Sequence, residues 1–516
     1  MSLRRKARQF TKAPVQTQAR LLRRLLRDAS QTEWGRRYNY AAIADQQNVI
    51  KAYQQAVPLH SYNDIATDVQ RARKGEENIL CPGRIRHFAV SSGTASEGRI
   101  LPLSQEMVRR NTAFGFGVAL QYMRTTRNFR VLLGRQVSMP GRIEEDRQYP
   151  GSFIGEVSGF LLEAVPPQFR FMYRNIPREI AFLPHWHEKL AAVIDYALDH
   201  DIRVIATVPS WALSMFKMTI DCHNRQQGTA VRTVGEIWPN LQLFVSGGVA
   251  LSSYRAVLEE LIGLPNMHFL ETYGASEGFF SYQVALDDPA MLLHLNNGIF
   301  FEFVHFDEMY TSSPRRYHIG EVEPNVRYVP YVTTCSGLWA YPVGDVLRFT
   351  STRPHKIEVA GRTSEVLDRY GEKVFGEDAR QTIEHACRET DTHIAEYHLT
   401  SRPPTVDDMP RIEWLVEFAS PPASLSDFAT LLDSTLCEIN RHYQVRRQSG
   451  SFAAPLLTPL SSGTFAAWLQ ASRKHVSTQT KIRRMSEDTT IANALIAVDH
   501  ERYGTPEERR RDSSAS

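Results

Sequence analysis

The stretch Ala89 to Ser104, AVSSGTASEGRILPLS, crowds hydroxyls and glycines directly behind a short apolar run, Ile85 to Val90, that reads as a strand. Ser91, Ser92, Gly93 and Thr94 are small enough for several backbone N–H groups to face one concavity, and their hydroxyls add donors to the same space. That chemistry suits a phosphate. The spacing is not the GxxxxGK[ST] of a nucleoside-triphosphatase loop, and Arg99 after Gly98 supplies a cation that could screen anionic oxygens. An ordinary Ser/Gly turn accounts for the same residues taken alone. Two further stretches, Tyr273 to Gly278 (YGASEG) and Tyr341 to Asp345 (YPVGD), place a carboxylate beside glycine, and each by itself also reads as a turn.

Such residues need a frame. The chain has 516 residues, enough for about two or three domains, and a formal charge of +3, which gives no reason to expect nucleic acid or an acidic membrane as partner. Five cysteines, Cys81, Cys222, Cys335, Cys387 and Cys437, are widely spaced with no CxxC pair, the pattern of reduced thiols in a cytoplasmic protein. No apolar run reaches the roughly 18 residues a membrane helix requires. The basic amino terminus, with Arg20, Arg23, Arg24 and Arg27 interleaved with Leu21, Leu22, Leu25 and Leu26, reads as a structural helix with a solvated basic face rather than a transit peptide.

From Gln16 to Ser61 the pattern is mostly helical, and Gln105 to Met123 reads as a helix after the Ser/Gly stretch. Arg130 to Gly134 reads as a short strand and Gln136 to Pro150 as a polar loop. Between Pro184 and Ser246, helices alternate with the strands Arg203–Val208 and Leu241–Val245, followed by a helix at Tyr254–Ile262 and a strand at Met267–Thr272. This alternation predicts an α/β fold with a largely parallel sheet, whose ligands sit beyond the strand carboxyl ends. The loops there hold Pro209-Ser210-Trp211, Ser246-Gly247-Gly248 and the YGASEG stretch. Strands at Ile299–Val304 and Tyr328–Thr333 predict an antiparallel subdomain. Residues 1–362 are expected to form the large amino-terminal domain and 363–486 a smaller α+β domain, with a helix over Leu425–His442. Residues 487–516 are expected to be a partly disordered extension.

In their order, SSGTASEG, YGASEG and YPVGD resemble the adenylate-forming superfamily. Within it the chain resembles the auxin-responsive (Gretchen Hagen type) acyl acid amido synthetases and their bacterial relatives. Thr32–Arg36, Ser246–Gly248, Val332–Leu338, Gly463-Thr464-Phe465 and the QxKxxR pattern from Gln479 to Arg484 carry the rest of the resemblance, from about residue 16 to about 486. It implies adenylation of a small carboxylic acid by ATP and transfer of the acyl group to an amino acid or another amine. Ser91, Ser92, Gly93 and Thr94 would hold the triphosphate, and Glu277 would bind Mg²⁺. Gly247 and Gly248 would let adenine lie against backbone, with Tyr273 stacked on it and Ser276 beside it. Asp345 would accept both ribose hydroxyls, with Arg362 near the ribose. Lys481 would neutralise the α-phosphate after rotation about a hinge near Arg362-Thr363-Ser364. Arg99 and Pro342 depart from the plant motifs, which bears on the acid and not on adenylation.

The acyl pocket is less legible. Trp211, Phe160, Leu161 and Met215 are candidates, with Phe153 and Gly159, and core packing explains any one of them equally well. His185-Trp186-His187 lacks a third ligand and reads as surface. Three alternatives stay open: an acyl-CoA synthetase sharing the first half-reaction, a non-catalytic adenylate or acyl-acid binding protein, and a nucleoside triphosphatase. Oligomeric state is not legible.

Overall fold

The computed structural model describes residues 11–91, 99–166, 174–183, 186–248, 251–252, 254–309, 311–363, 365–367, 369–370, 372–404, 408–448, 451–472 and 483–504. The chain divides into two compact units, Met1–Val359 and Ala360–Ser516.

The strands of the first unit are β1 (His87–Ser91), β2 (Arg99–Leu103), β3 (Arg135–Ser138), β4 (Ile143–Glu145), β5 (Phe153–Gly155), β6 (Ile202–Thr207), β7 (Leu243–Gly247) and β8 (His268–Ala275). They continue with β9 (Gly278–Gln283), β10 (Met291–Leu293), β11 (Ile299–His305), β12 (Tyr317–His318), β13 (Arg327–Thr334), β14 (Tyr341–Pro342), β15 (Asp345–Thr352) and β16 (His355–Arg362), the last of which crosses into the second unit. A twelve-stranded sheet runs β12-β11-β13-β15-β16-β10-β9-β8-β7-β6-β3, with β14 on β13. Pairing is parallel from β3 through β8 and turns antiparallel at β8/β9. The helices Pro209–Gln227 and Arg255–Ile262 connect the parallel strands, as such crossovers require. Their apolar sides bury Ile205, Phe244, Phe269, Met215, Phe216 and Leu258 in one core. The smaller sheet has the order β2-β1-β5-β4.

The amino-terminal helix Pro14–Asp28 buries Leu21, Leu22, Leu25 and Leu26 and leaves Arg20, Arg24 and Arg27 exposed, so the basic run is its solvated side. Gln18 fastens it to the sheet. Its buried amide donates to the carbonyls of Leu295 (2.8 Å) and Ile299 (3.0 Å) and accepts from the Phe301 N–H (2.7 Å).

Two expectations for this unit are corrected. Arg130–Leu132 is a 3₁₀ turn and no strand: Asn128 accepts the Arg130 N–H at 2.9 Å, and Phe129 and Leu133 stand 60% and 64% exposed with no sheet to bury them. The polar segment after it is not all loop, because β3 takes its register from β6, Val137 opposite Ile205, and β4 takes its own from β5. Edge strands need little apolar sequence of their own.

The second unit contains β17 (Val366–Leu367), β18 (Val374–Phe375), β19 (His393–Arg402), β20 (Arg411–Ser420), β21 (Leu456–Leu460) and β22 (Met485–Ser486). The last four form a sheet ordered β21-β20-β19-β22, packed with the helices Gly376–Glu389 and Leu425–Ile439 around Trp414, Phe428 and Leu432. The expected helix Leu425–His442 breaks at Asn440, whose amide donates to Lys373 O and Asp378 Oδ2, both at 2.8 Å, while its oxygen caps Tyr443 N at 2.9 Å. The expected extension begins with a helix, Thr490–Tyr503, that is integral to the unit. Its buried Asp499 accepts from Ser461 N (2.8 Å) and Thr464 Oγ1 (3.0 Å). Residues beyond Gly504 lie outside the described ones.

Burial of His294 beside Phe114 and Tyr282 pushes its imidazole down to about 4. The folded first unit therefore binds fewer protons there than the unfolded chain, whose imidazole titrates at 6.5. Stability from this group is present above about pH 6.5 and is lost as pH falls toward 4, by up to about 3 kcal/mol. Urea unfolding at pH 7 and pH 4.5 should show the loss, and His294→Phe should shrink it.

Candidate active site

The turns of interest lie in the first unit around the carboxyl end of β8. This strand runs into the YGASEG stretch as far as Ala275, and β9 begins at Gly278, so Ser276 and Glu277 form a two-residue hairpin turn with Ala275 paired to Gly278. The expected loop is thus two strands and a tight turn. Gly278 has φ +152°, and a Cβ there would fall 2.6 Å from Ile299 Cδ1. The turn leaves Glu277 only 7% exposed.

Three contacts knit the motifs together. Tyr273 Oη donates to Asp345 Oδ2 at 2.7 Å, joining β8 to the first residue of β15. Ser276 Oγ donates to the carbonyl of Val90 at 3.3 Å, tying the turn to β1. Ser104 N donates to Ser336 Oγ at 3.0 Å, anchoring the far end of β2. β1 and β2 pair antiparallel with Ser91 opposite Arg99, so they are the stems of a hairpin whose connection is the SSGTASEG stretch. Ser92, Gly93 and Thr94 lie outside the described residues, as does the Ser91 side chain.

Tyr341, the first residue of the YPVGD stretch, lies in the field of Glu277, and Tyr62, His87 and Lys189 of the same unit are residues that the motif reading did not single out. Tyr341 is 1% exposed, and its hydroxyl has no hydrogen-bond partner among the described residues. Burial and the negative charge of Glu277 push this phenol above its usual range, with the Arg99 guanidinium acting in the opposite direction. Arg99 lies over the Tyr62 ring at 5.7 Å, and Tyr62 Oη accepts the Ile100 N–H at 3.2 Å. His87, on β1, stacks on Phe160 at 4.7 Å and is held below its usual pKa by burial. Lys189, 4% exposed, donates to the Pro140 carbonyl; burial brings it down to about 8, partly offset by Glu156. Nothing in the sequence separates Tyr62, His87 or Lys189 from ordinary surface or core residues, because their partners come from distant elements.

Gly247 ends β7 opposite Thr272, and Gly248 follows it exposed with φ +88°. Phe160 and Leu161 belong to the helix Val157–Glu163 and pack into the core that contains Tyr273. Trp211 and Met215 lie one helical turn apart in the core under the parallel strands, Met215 fully enclosed and Trp211 partly exposed. Arg362 ends β16 in the second unit, and Ser364 lies outside the described residues. So does Lys481. The residues that follow it are pinned within the second unit: Arg484 O accepts from Leu399 N, and Arg483 O accepts from His398 Nδ1, each at 2.7 Å. Gly463-Thr464-Phe465 is a helix start whose N–H groups donate to the Glu417 carboxylate at 2.7 and 3.1 Å, a structural role.

The described donors suit a nucleotide and a hard cation. A carboxylate at the end of β15, open space around Gly344 and an aromatic ring beside them fit a nucleoside. The buried Glu277 carboxylate fits Mg²⁺, which takes few protein ligands and fills its shell with phosphate oxygens and water. Among the described residues no group of His, Cys, Asp and Glu forms an all-protein metal site, and no helix is long and apolar enough to cross a membrane.

This fold is shared with solved adenylate-forming ligases. A solved 2-hydroxyisobutyryl-CoA ligase in the postadenylation state, in complex with 2-HIB-AMP, matches it with a TM-score of 0.60 at 14% identity, over 93% of this chain and 90% of that one. The AtGH3.15 acyl acid amido synthetase in complex with 2,4-DB matches with a TM-score of 0.76 at 18% identity, over 93% of each chain. Family models match in order along the sequence: the GH3 family N-terminal domain at residues 3–160, the central domain at 292–362 and the C-terminal domain at 377–490. The chain belongs to the GH3 family. It is similar to the Arabidopsis thaliana indole-3-acetic acid-amido synthetase GH3.4, 22% identical over 94% of this chain and 92% of that protein. It is likewise similar to GH3.3 of the same plant, 22% identical over 93% and 90%.

Removing the Tyr273 hydroxyl tests the central contact. Tyr273→Phe keeps the ring and frees Asp345 from its 2.7 Å partner, so the fold should survive with a loss of about 1–3 kcal/mol in urea unfolding. The KM for ATP in pyrophosphate exchange should change by a few-fold. An unchanged unfolding midpoint would show that the bond contributes nothing.

Proposed function

We propose that the chain is an ATP-dependent acyl acid amido synthetase: it adenylates a small carboxylic acid and passes the acyl group to the amine of an amino acid or another amine. The observation that carries this reading is the Tyr273–Asp345 bond, which brings two of the three motif stretches together at the end of β8, beside the hairpin stems of the third. The named activities of the amido synthetase relatives support it.

A carboxylate beside an amine at neutral pH has no leaving group. In the first step a carboxylate oxygen bonds to the α-phosphorus of ATP, the bond to the bridging oxygen breaks, and pyrophosphate departs. In the second, the amine nitrogen bonds to the acyl carbon, the carbon–oxygen bond to AMP breaks, and the nitrogen loses a proton to solvent. Charge gathers on the phosphate in the first step, so fixed donors there supply much of the rate. Ser91, Ser92, Gly93 and Thr94 are the residues for the triphosphate. Gly247, Gly248, Tyr273 and Ser276 border the base, and Asp345 receives the ribose hydroxyls, with Arg362 assigned to the same sugar. Tyr273 Oη, by donating to Oδ2, holds the Asp345 carboxylate in one orientation. Glu277 would hold Mg²⁺, which when bound draws charge from the phosphate oxygens. Lys481 neutralises the α-phosphate, and Trp211, Phe160, Leu161 and Met215 face the acid.

Thioester formation is the second reading, favoured by the likeness to the CoA ligase fold. It shares the adenylate and differs only in the acceptor. Supplying coenzyme A or amino acids separately, and weighing the products, separates the two.

With acid labelled by ¹⁸O in its carboxylate, one label should appear in released AMP and none in pyrophosphate. AMP free of label would sink adenylation. Lys481→Ala should slow acid-dependent pyrophosphate release about a hundredfold or more while ATP binding changes only a few-fold. Equal turnover would remove Lys481 from the mechanism.

A further inference from the structure

Near the end of the parallel pairing three polar side chains stand at one level. Thr207 of β6 pairs with Ser246 of β7, and Ser246 pairs with Glu271 of β8. Directly paired residues of a parallel sheet share a face, and alternation puts these three on the face of Ile205, Phe244 and Phe269, two positions earlier. That earlier row is the apolar floor of the core shared with Ala212, Met215 and Phe216. Glu271 marks the face independently, since its Oε1 accepts the N–H of Leu251, a member of the same core, at 3.2 Å. A polar row therefore crowns an apolar floor toward the carboxyl end of the parallel pairing, beside the helix that carries Trp211 and Met215. This is where an open α/β sheet receives its ligand.

Ser246 sets the row apart from ordinary core. It is 1% exposed, and its Oγ has no hydrogen-bond partner among the described residues. The neighbouring Thr272 hydroxyl, by contrast, is satisfied by Ser246 O at 2.9 Å. A buried hydroxyl left unpaired weakens a fold, whereas alanine at the same place would not. Its presence is explained if a ligand supplies the partner.

We infer that Thr207, Ser246 and Glu271 form the acid-selecting wall of the acyl site, and that the preferred acid carries a hydroxyl or amino group remote from its carboxylate. Ser246 Oγ can donate to or accept from such a group, and Glu271 accepts its hydrogen. An acid ending in methyl or hydrogen leaves Ser246 Oγ without a partner, and sites built to bond a polar group reject analogues that lack it. The inference rests on the adenylation reading, because it concerns the acid that is activated.

Acid-dependent ATP–pyrophosphate exchange by the full chain tests it with matched pairs: 4-hydroxybenzoate or 4-aminobenzoate against 4-methylbenzoate and benzoate, 4-hydroxyphenylacetate against phenylacetate, and 6-hydroxyhexanoate against hexanoate. In at least one pair the polar acid should exceed its apolar partner in kcat/KM by about tenfold or more. Ser246→Ala should bring that ratio close to one, and without acid it should unfold no earlier than the parent. Thr207→Val, on a half-buried side chain, should lower the same ratio and serves as the second variant if Ser246→Ala does not accumulate. Equal ratios in parent and variant, or apolar acids preferred throughout, would overturn the inference alone. So would a destabilised Ser246→Ala with its ratio intact, which marks a structural hydroxyl. Exchange with no acid at all would overturn the adenylation reading, and this inference with it.

Discussion

The hydrogen bond from Tyr273 to Asp345 closes a loop of chain that the strand order alone would leave open. β8 is the strand where the sheet changes from parallel to antiparallel pairing, and β15 lies four strands away along the sheet. A parallel strand can end wherever its crossover leaves it. Because β8 also pairs with β9 through a two-residue turn, its end is fixed in register, and Glu277 has nowhere to go but inward. Tyr273 then sets the Asp345 carboxylate relative to that buried one. Two acidic groups thus stand at defined places, with a hydrogen bond holding the first and a tight turn the second.

The opposite support comes from the amino-terminal helices. His60 Nδ1 meets the Trp339 carbonyl at 2.7 Å and its other nitrogen lies 3.1 Å from Tyr38 Oη, so each ring nitrogen is occupied. Burial holds this imidazole below its usual pKa. Trp339 Nε1 donates to Leu80 O at 2.9 Å, while Thr333 Oγ1 receives the Ala340 N–H at 2.9 Å and meets Tyr53 Oη at 2.7 Å. Ala340 sits at φ +45°, a conformation that alanine adopts only when its surroundings impose it. These bonds together aim the chain into Tyr341 and so into the turn before Asp345. The helices before β1 are therefore part of the site's scaffold, though none of their side chains is assigned to the reaction.

Much of this frame was legible because it rests on local pattern. The apolar runs around Val204, Phe244 and Phe269 read as strands since both faces are covered, and helices read between them by alternation. The YGASEG turn was legible as a place and not as a conformation: strand pairing pulled its first half into β8 and its end into β9. β3 and β4 were illegible because edge strands borrow register from a neighbour. The 3₁₀ turn at Arg130 read as a strand because β-branched and apolar residues look alike whether or not a sheet is present to bury them. The contacts that make the site, Tyr273 with Asp345, His87 on Phe160 and Arg99 beside Tyr341, join residues far apart in the chain, and no periodicity records them.

The division between what sequence discloses and what it hides has a physical origin in this protein. Beside the residues assigned to the nucleotide lie two turn positions where backbone geometry restricts the side chain, Gly278 and Gly344, both at positive φ. A restricted composition is readable. The residues proposed for the acid sit instead on helix faces, where any side chain of suitable volume packs, so Phe160, Leu161 and Met215 read as core whether or not a ligand touches them. Only a polar atom buried against that trend breaks the ambiguity, and it becomes visible once the register puts Ser246 between Thr207 and Glu271. On the proposed reading, chemistry common to any adenylated acid is thus encoded in turn motifs, while the choice among acids is encoded in pairings across three strands. Register, not composition, is what a specificity argument for this fold must begin from.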